Sequence, residues 1–211
     1  MTGITHFETF LLTGLLLNLT PGNDTIFILS KSIAQGKKAG IVSALGISTG
    51  CVVHTILAAF GLSVIIAQSV MLFTAIKYAG AIYLLYMGVQ MLRSNASFNA
   101  SATLQQTKPS YNRIYRDGII TNVLNPKVAL FFMAFLPQFI NPEAQHTALP
   151  FLLLGITFVL TGTLWCLVLA FFASAIFVRL KNNSKIAGYI NKCCGITLIA
   201  LGIKVALSDK K

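Results

Sequence analysis

Asp24 is the one acidic residue set well inside an apolar run. The chain has only five acids; Glu8, Glu143 and Asp209 fall near segment ends or links, and Asp117 lies beside Arg116 at the mouth of another run. A charge at membrane depth costs about 2.5–3.5 kcal/mol on insertion scales, so it is kept where it is paired or used. Asp24 comes three residues after Pro21, and a cation, Lys127, comes directly after Pro126 in the second half. Pro removes an amide donor and clashes with the preceding turn, so each proline breaks its helix and frees backbone groups that hydrocarbon cannot satisfy. Asn18, Thr20, Pro21, Gly22 and Asn23 surround the first break; Asn122, Asn125 and Pro126 surround the second. A carboxylate here can hold an ammonium group or take up a proton. Lys127 and the freed amides can hold a carboxylate, with the Asn and Thr side chains orienting both. Structural duties are open to the same residues. Asp24 can cap the helix that resumes after Gly22, Lys127 can neutralise Asp24 or snorkel to an interface, and the Asn and Thr groups can re-satisfy the broken backbone. His54 is either a hydrogen-bonded structural histidine or a second candidate for carrying protons.

Other chemistries are missing from the pattern. No Ser or Cys nucleophile has a neighbouring His and acid, and no Gly-rich loop cradles phosphate, so neither a catalytic centre nor a cofactor is expected. Cys51, Cys166, Cys193 and Cys194 lie in or at the edge of apolar runs without metal-ligand spacing, so they read as small packing residues, and no metal site is expected.

The elements that must position these residues are membrane helices. Of 211 residues 55% are hydrophobic and 10% charged, with a mean hydropathy of +0.77, against about 25% charged in soluble domains. Six apolar segments can be drawn: Phe7 to Ile33 with the break at Pro21, Ile41 to Ile66, Val70 to Leu92, Gly118 to Ile140, Ala148 to Val178, and Ile186 to Leu207. Each exceeds the roughly 18 residues needed to span. The fifth, roughly 46 Å long at 1.5 Å per residue, must tilt, kink or emerge into water. The first apolar run has no basic stretch ahead of it and reads as a retained helix rather than a signal.

The two breaks echo each other: GLLLNLTPGND from Gly14 and GIITNVLNPKV from Gly118 both place Asn four residues on and reach a polar residue before Pro. Gly88 to Ser94 weakly matches Gly202 to Ser208. Three spans per copy force the second to enter from the opposite face. The expected fold is therefore an all-α integral membrane protein of six transmembrane helices in two inverted three-helix repeats, each with a Pro-broken first helix. Repeat one is 1–93, a polar cytoplasmic linker 94–113, and repeat two 114–211. Gly46 and Gly50, four apart, allow a neighbouring helix to approach closely.

The net charge of +11 is spread between apolar runs rather than gathered in an aromatic-interleaved patch, which points to the lipid bilayer and away from nucleic acid. Eleven of the sixteen basic residues fall in the links after segments one, three and five, and the link Gln138 to Thr147 has none. The positive-inside rule makes those three links cytoplasmic and turns both termini outward.

These residues together resemble the lysine exporter and homoserine-resistance (LysE/RhtB) family. The resemblance runs the whole length: Thr20-Pro21-Gly22, Gln35 to Gly40, Gly46 to Gly50, Tyr83 to Leu92, and Asn122 to Phe139 with its NPK and LPQF. It implies proton-coupled efflux of amino acids or related metabolites from the bacterial cytoplasm through the inner membrane. Where the family often has Pro-Gly-Pro, this chain has Pro21-Gly22-Asn23, a less rigid first break. Small neutral or hydroxylated amino acids are the expected substrates, since no second intramembrane acid is evident for a basic side chain. A homo-oligomer is compatible with the sequence. Two other classes remain: a divalent metal exporter, which would need several intramembrane carboxylates, and a non-transporting membrane scaffold, which would need no polar residues at mirrored breaks.

Overall fold

The computed structural model describes residues 3–93, 110–182 and 184–207; most of the expected linker (94–109) and the tail from Ser208 lie outside the described residues. The described chain is all helical. Helix α1 (Phe7–Leu19) stops at Thr20-Pro21, and α2 (Asn23–Gln35) resumes after Gly22. Gly36, at φ 86°, supplies the left-handed residue that separates α2 from α3 (Lys37–Leu57). A π turn, Ala58–Leu62, carries α3 into α4 (Ser63–Gln68), followed by α5 (Val70–Arg93). Helix α6 (Tyr111–Val123) stops before Asn125-Pro126. Helix α7 (Pro126–Leu130) starts with proline at its first position, where the missing amide costs nothing. A second π turn, Phe131–Phe135, and a 3₁₀ turn, Leu136–Phe139, prolong α7. Then α8 (Ala148–Asn182) and α9 (Ser184–Leu207) close the fold.

Among the described residues three helices, Lys37–Ile65, Met71–Arg93 and Ala148–Ala173, are long and apolar enough to cross a membrane, and the pair Tyr111–Val123 and Pro126–Phe139, bent by 47°, adds a fourth if it is one broken span rather than a re-entrant loop. Length and apolarity thus carry three or four of the six expected spans. Pro21 divides the first segment into two helices of 13 residues each, and the apolar described part of the sixth, Gly195–Leu207, is also short. The long fifth segment is neither broken nor kinked by proline: α8 runs for 35 residues, about 52 Å at 1.5 Å per residue. It must therefore tilt or project beyond a core of about 30 Å.

Phenylalanine fills the centre. Phe131 stacks on Phe158 at 4.4 Å between centroids and meets Phe10, Phe132 and Phe135, while Phe139 lies edge-on to Phe10 and Phe135. Leu12, Phe60, Met71, Leu160 and Leu164 remain exposed on the perimeter, the surface a bilayer would cover. Residues 3–6 are strapped to the segment after α7: Thr5 N donates to Phe139 O and Asn141 N to Gly3 O. The N-terminus and the link after the fourth segment therefore share one end of the molecule.

Helix α5 packs along α9, α3 is wedged between α6 and α8, and α8 contacts α1 and α2. Close approaches recur in the two halves. A Cβ placed on Gly50 would come 2.7 Å from Asn122 Cβ, and one on Gly162 3.3 Å from Asn18 Oδ1. On Gly46 it would come 3.2 Å from Gly118 Cα, and on Gly14 3.3 Å from the Phe158 ring. A Cβ on Gly88 would come 2.7 Å from Gly195 O, and one on Gly202 3.0 Å from Ala81 O. Gly46 and Gly50 thus do what their spacing suggested: their bare face seats α6 against α3.

Candidate functional site

The two helix breaks touch. Gly22 has only hydrogen where a Cβ would come 3.4 Å from Lys127 Nζ, so the lysine of the second break lies directly on the backbone of the first. Lys127 is buried, and its ammonium donates to Thr20 O at 2.9 Å and Leu17 O at 3.2 Å. Both carbonyls belong to the last turn of α1; Leu17 O also accepts from Thr20 N at 3.2 Å. Three attractions meet there: a cation, two carbonyl acceptors and the negative end of a helix.

Asp24 stands in the first turn of α2, where the helix N-terminus favours an anion, but it makes no cap hydrogen bond; Gly22 occupies the cap position. Its Oδ2 instead accepts from Asn122 Nδ2 at 2.9 Å, across the two halves of the chain. Its Oδ1 is buried with no partner from the protein. Asn122 also joins the site to His54, whose Nε2–H donates to Asn122 O at 3.1 Å while the ring stacks on Phe132. His54 is therefore the hydrogen-bonded histidine foreseen as one of its two readings, and it sits one residue removed from Asp24.

Leu17, Asn18, Asp24, Asn122 and Lys127 line a cavity of about 40 Å³ between α1, α2, α3, α6, α7 and α8. At roughly 10–15 Å³ of such volume per molecule this is room for about three waters, too little for an amino acid. Ser48, Thr25 and Thr163 add hydroxyls to the wall, and Ile47, Val128, Phe158, Val159 and Cys166 give it an apolar side. Thr163 Oγ1 donates to Ser48 Oγ at 2.7 Å, and Ser48 passes its own proton to Ala44 O, so the two hydroxyls pin α8 to α3 beside the cavity.

Of the site residues expected from sequence, the fold brings Asn18, Asp24, Asn122 and Lys127 to one cavity. Thr20 is fully buried but serves the backbone, donating to Leu16 O. Asn125 caps α7, its Oδ1 accepting from Lys127 N at 3.1 Å. Asn23 is exposed at the first position of α2 and does not line the cavity. Pro21, Gly22 and Pro126 make the breaks as expected. Ser48, Thr163 and Trp165 also line the cavity though none is among the expected site residues; from sequence Trp165 reads as a packing or lipid-facing residue. Ser48 lies within the GxxxG stretch, where small residues already had a packing explanation. Thr163 and Trp165 lie in an unbroken apolar helix where only α1 opposite reveals which face is wet. Among the described residues no group of three or more His, Cys, Asp or Glu could hold a metal ion.

A small cavity with a carboxylate, an ammonium and amide groups in its wall, set where two broken helices meet, is the arrangement of a membrane transport protein. The chain belongs to the LysE type translocator family, whose sequence profile matches residues 15–209. It is 36% identical over 197 residues to the uncharacterized membrane protein YrhP of Bacillus subtilis (strain 168), covering 90% of this chain and 93% of the relative. It is 29% identical over 206 residues to the leucine efflux protein of Salmonella typhimurium, covering 97% and 96%. It is 31% identical over 207 residues to the uncharacterized membrane protein PA4757 of Pseudomonas aeruginosa, again covering 97% and 96%. No solved structure matches the chain.

Proposed function

We propose that this translocator exports neutral aliphatic amino acids from the bacterial cytoplasm across the inner membrane, driven by protons. The observation that carries the reading is the meeting of the two helix breaks at a buried cavity that has one carboxylate, Asp24, and one ammonium, Lys127, in its wall. The apolar side formed by Ile47, Val128, Phe158 and Val159 suits an aliphatic side chain, and a relative named leucine efflux protein supports the same class. Asp24 Oδ1 has an acceptor to offer an ammonium group. A carboxylate that alternates between the substrate amine and a proton couples the two movements, because each occupant excludes the other.

Six spans in two inverted repeats belong to this reading. It is supported by the paired approaches Gly50–Asn122 and Gly162–Asn18, and Gly88–Gly195 and Gly202–Ala81, which exchange when the halves are exchanged. Sites of this kind lie at the interface of such repeats near the bilayer midplane.

Transport by purified protein in liposomes, with a panel of amino acids inside and an imposed proton gradient, tests the proposal. Gradient-driven efflux of leucine and similar neutral amino acids is expected, with Asp24→Asn inserting and folding normally yet losing the driven component. Full coupled activity in Asp24→Asn would move the proton to another group; efflux of no amino acid by the wild type would end the exporter reading.

A further inference from the structure

The repeats are not chemically equivalent at the cavity, and the difference defines a direction. Asn18 and Asn122 occupy matching places, as do Gly22 and Lys127, one residue out of step because of the extra residue before Pro126. By the same count the partner position of Asp24 is Ala129. Asn122 Nδ2 finds Asp24 Oδ2 at 2.9 Å. The matching Asn18 has only a methyl group at the corresponding place, and its Nδ2 is buried with no partner from the protein.

A second donor is in the same condition close by. Trp165 lines the cavity, and its Nε1 is buried without a protein partner. It lies three residues beyond Gly162, the point at which α8 meets the Asn18 side chain, so the indole and the amide share one face of α8 about one turn apart. A buried N–H left unpaired costs roughly 1–3 kcal/mol, and two in one small cavity, opposite a carboxylate oxygen that also lacks a partner, are explained by what the cavity receives. Lys127 is used differently: its ammonium donates to Leu17 O and Thr20 O and so ties α7 to the end of α1.

We propose that Asn18 Nδ2 and Trp165 Nε1 bind the carboxylate of the transported amino acid, opposite Asp24, which takes its ammonium group. Lys127 is a positioning residue that ties the two broken helices together. The assignment rests on the exporter reading and deepens it. It makes the site selective for a free α-amino acid over an amine, because without a carboxylate the two donors stay unpaired. The apolar wall then receives the side chain.

Binding to purified protein in nanodiscs tests this with leucine, or whichever neutral amino acid a panel shows to be held best, and the amine that lacks only its carboxylate, 3-methylbutylamine for leucine. Trp165→Phe keeps an aromatic ring, a smaller one, and removes the N–H; Asn18→Leu keeps the size and removes the amide. Each is expected to weaken the amino acid about ten-fold or more, the worth of a hydrogen bond to a charged group, while leaving the amine's affinity within two-fold, so that the preference for the carboxylate collapses. Equal weakening of both ligands, or undiminished preference in both variants, overturns the assignment while leaving the exporter standing. A wild-type protein that binds no amino acid overturns the exporter and the assignment with it.

Discussion

Lys127 illustrates how little a residue's type says about its task. A lysine after Pro126 in an apolar run suggests a partner for Asp24 or an anion ligand, and the structure gives it two carbonyls of α1, Leu17 O and Thr20 O. It thereby closes the C-terminus of one half with a cation from the other. Lys127→Met takes the lysine donor from Thr20 O and leaves Leu17 O with the Thr20 N–H alone, at a cost of roughly 1–3 kcal/mol. At about 2–4 °C per kcal/mol for a chain of this size, the thermal midpoint in detergent is expected to fall by several degrees or more, with or without substrate present. Asn125→Ala, which removes only the cap bond to Lys127 N, is expected to cost about 1 kcal/mol. A Lys127→Met variant that melts like wild type while losing transport would return the lysine to the substrate.

At the scale of elements, α3 is the wall on which the site is hung. Its glycines let α6 approach until Gly118 Cα and Asn122 Cβ lie where side chains of α3 would otherwise be. This approach brings Asn122 within reach of both His54 and Asp24. Gly50→Leu is expected to push α6 outward, break the Asn122–Asp24 bond and abolish transport, with overpacking costing about 1–3 kcal/mol or more. Gly61→Leu, in the π turn where nothing lies within 4 Å of an added Cβ, serves as the control and should transport normally. Comparable transport by the two variants would mean that the α3–α6 approach does not set the site. The π turn and 3₁₀ turn after α7 place an uninterrupted series of Phe side chains, Phe131, Phe132, Phe135 and Phe139, into the core. Wider and tighter turns rotate those side chains relative to a regular helix.

At the scale of the molecule, the N-terminal strap to Phe139 and Asn141 fixes residues 3–6 and the link Gln138 to Thr147 at one end. The distribution of basic residues predicts that this end faces outward. Single cysteines at Lys37 and Gln145, in a chain lacking the native cysteines, are expected to be respectively protected from and labelled by an impermeant thiol reagent in intact cells. Labelling of position 37 from outside would reverse the orientation. A cysteine pair replacing Gly22 and Lys127 should be joined within one chain by a short bifunctional thiol reagent that spans the length of the lysine side chain, because the tip of that side chain lies on Gly22; failure to do so would separate the two breaks and remove the shared site.

The sequence by itself determined the solvent, the breaks and the scarcity of charge. Composition requires a bilayer, Pro21 and Pro126 must interrupt their helices, and Asp24 stands apart because so few acids exist. The shared spacing of Gly14–Asn18 and Gly118–Asn122 was also legible, since it is a matter of counting residues. What only the tertiary structure decided is which freed groups are consumed at home. Local chemistry allowed every Asn and Thr near a break to serve backbone or ligand. Packing sent Thr20 and Asn125 to the backbone, left Asn23 in the open and gathered Asn18, Asp24 and Asn122 around one cavity. Trp165 and Thr163 became wet for a reason no local pattern holds. An apolar helix has no polar stripe to mark its inner face, and a face becomes the wall of a cavity only when two other helices break opposite it.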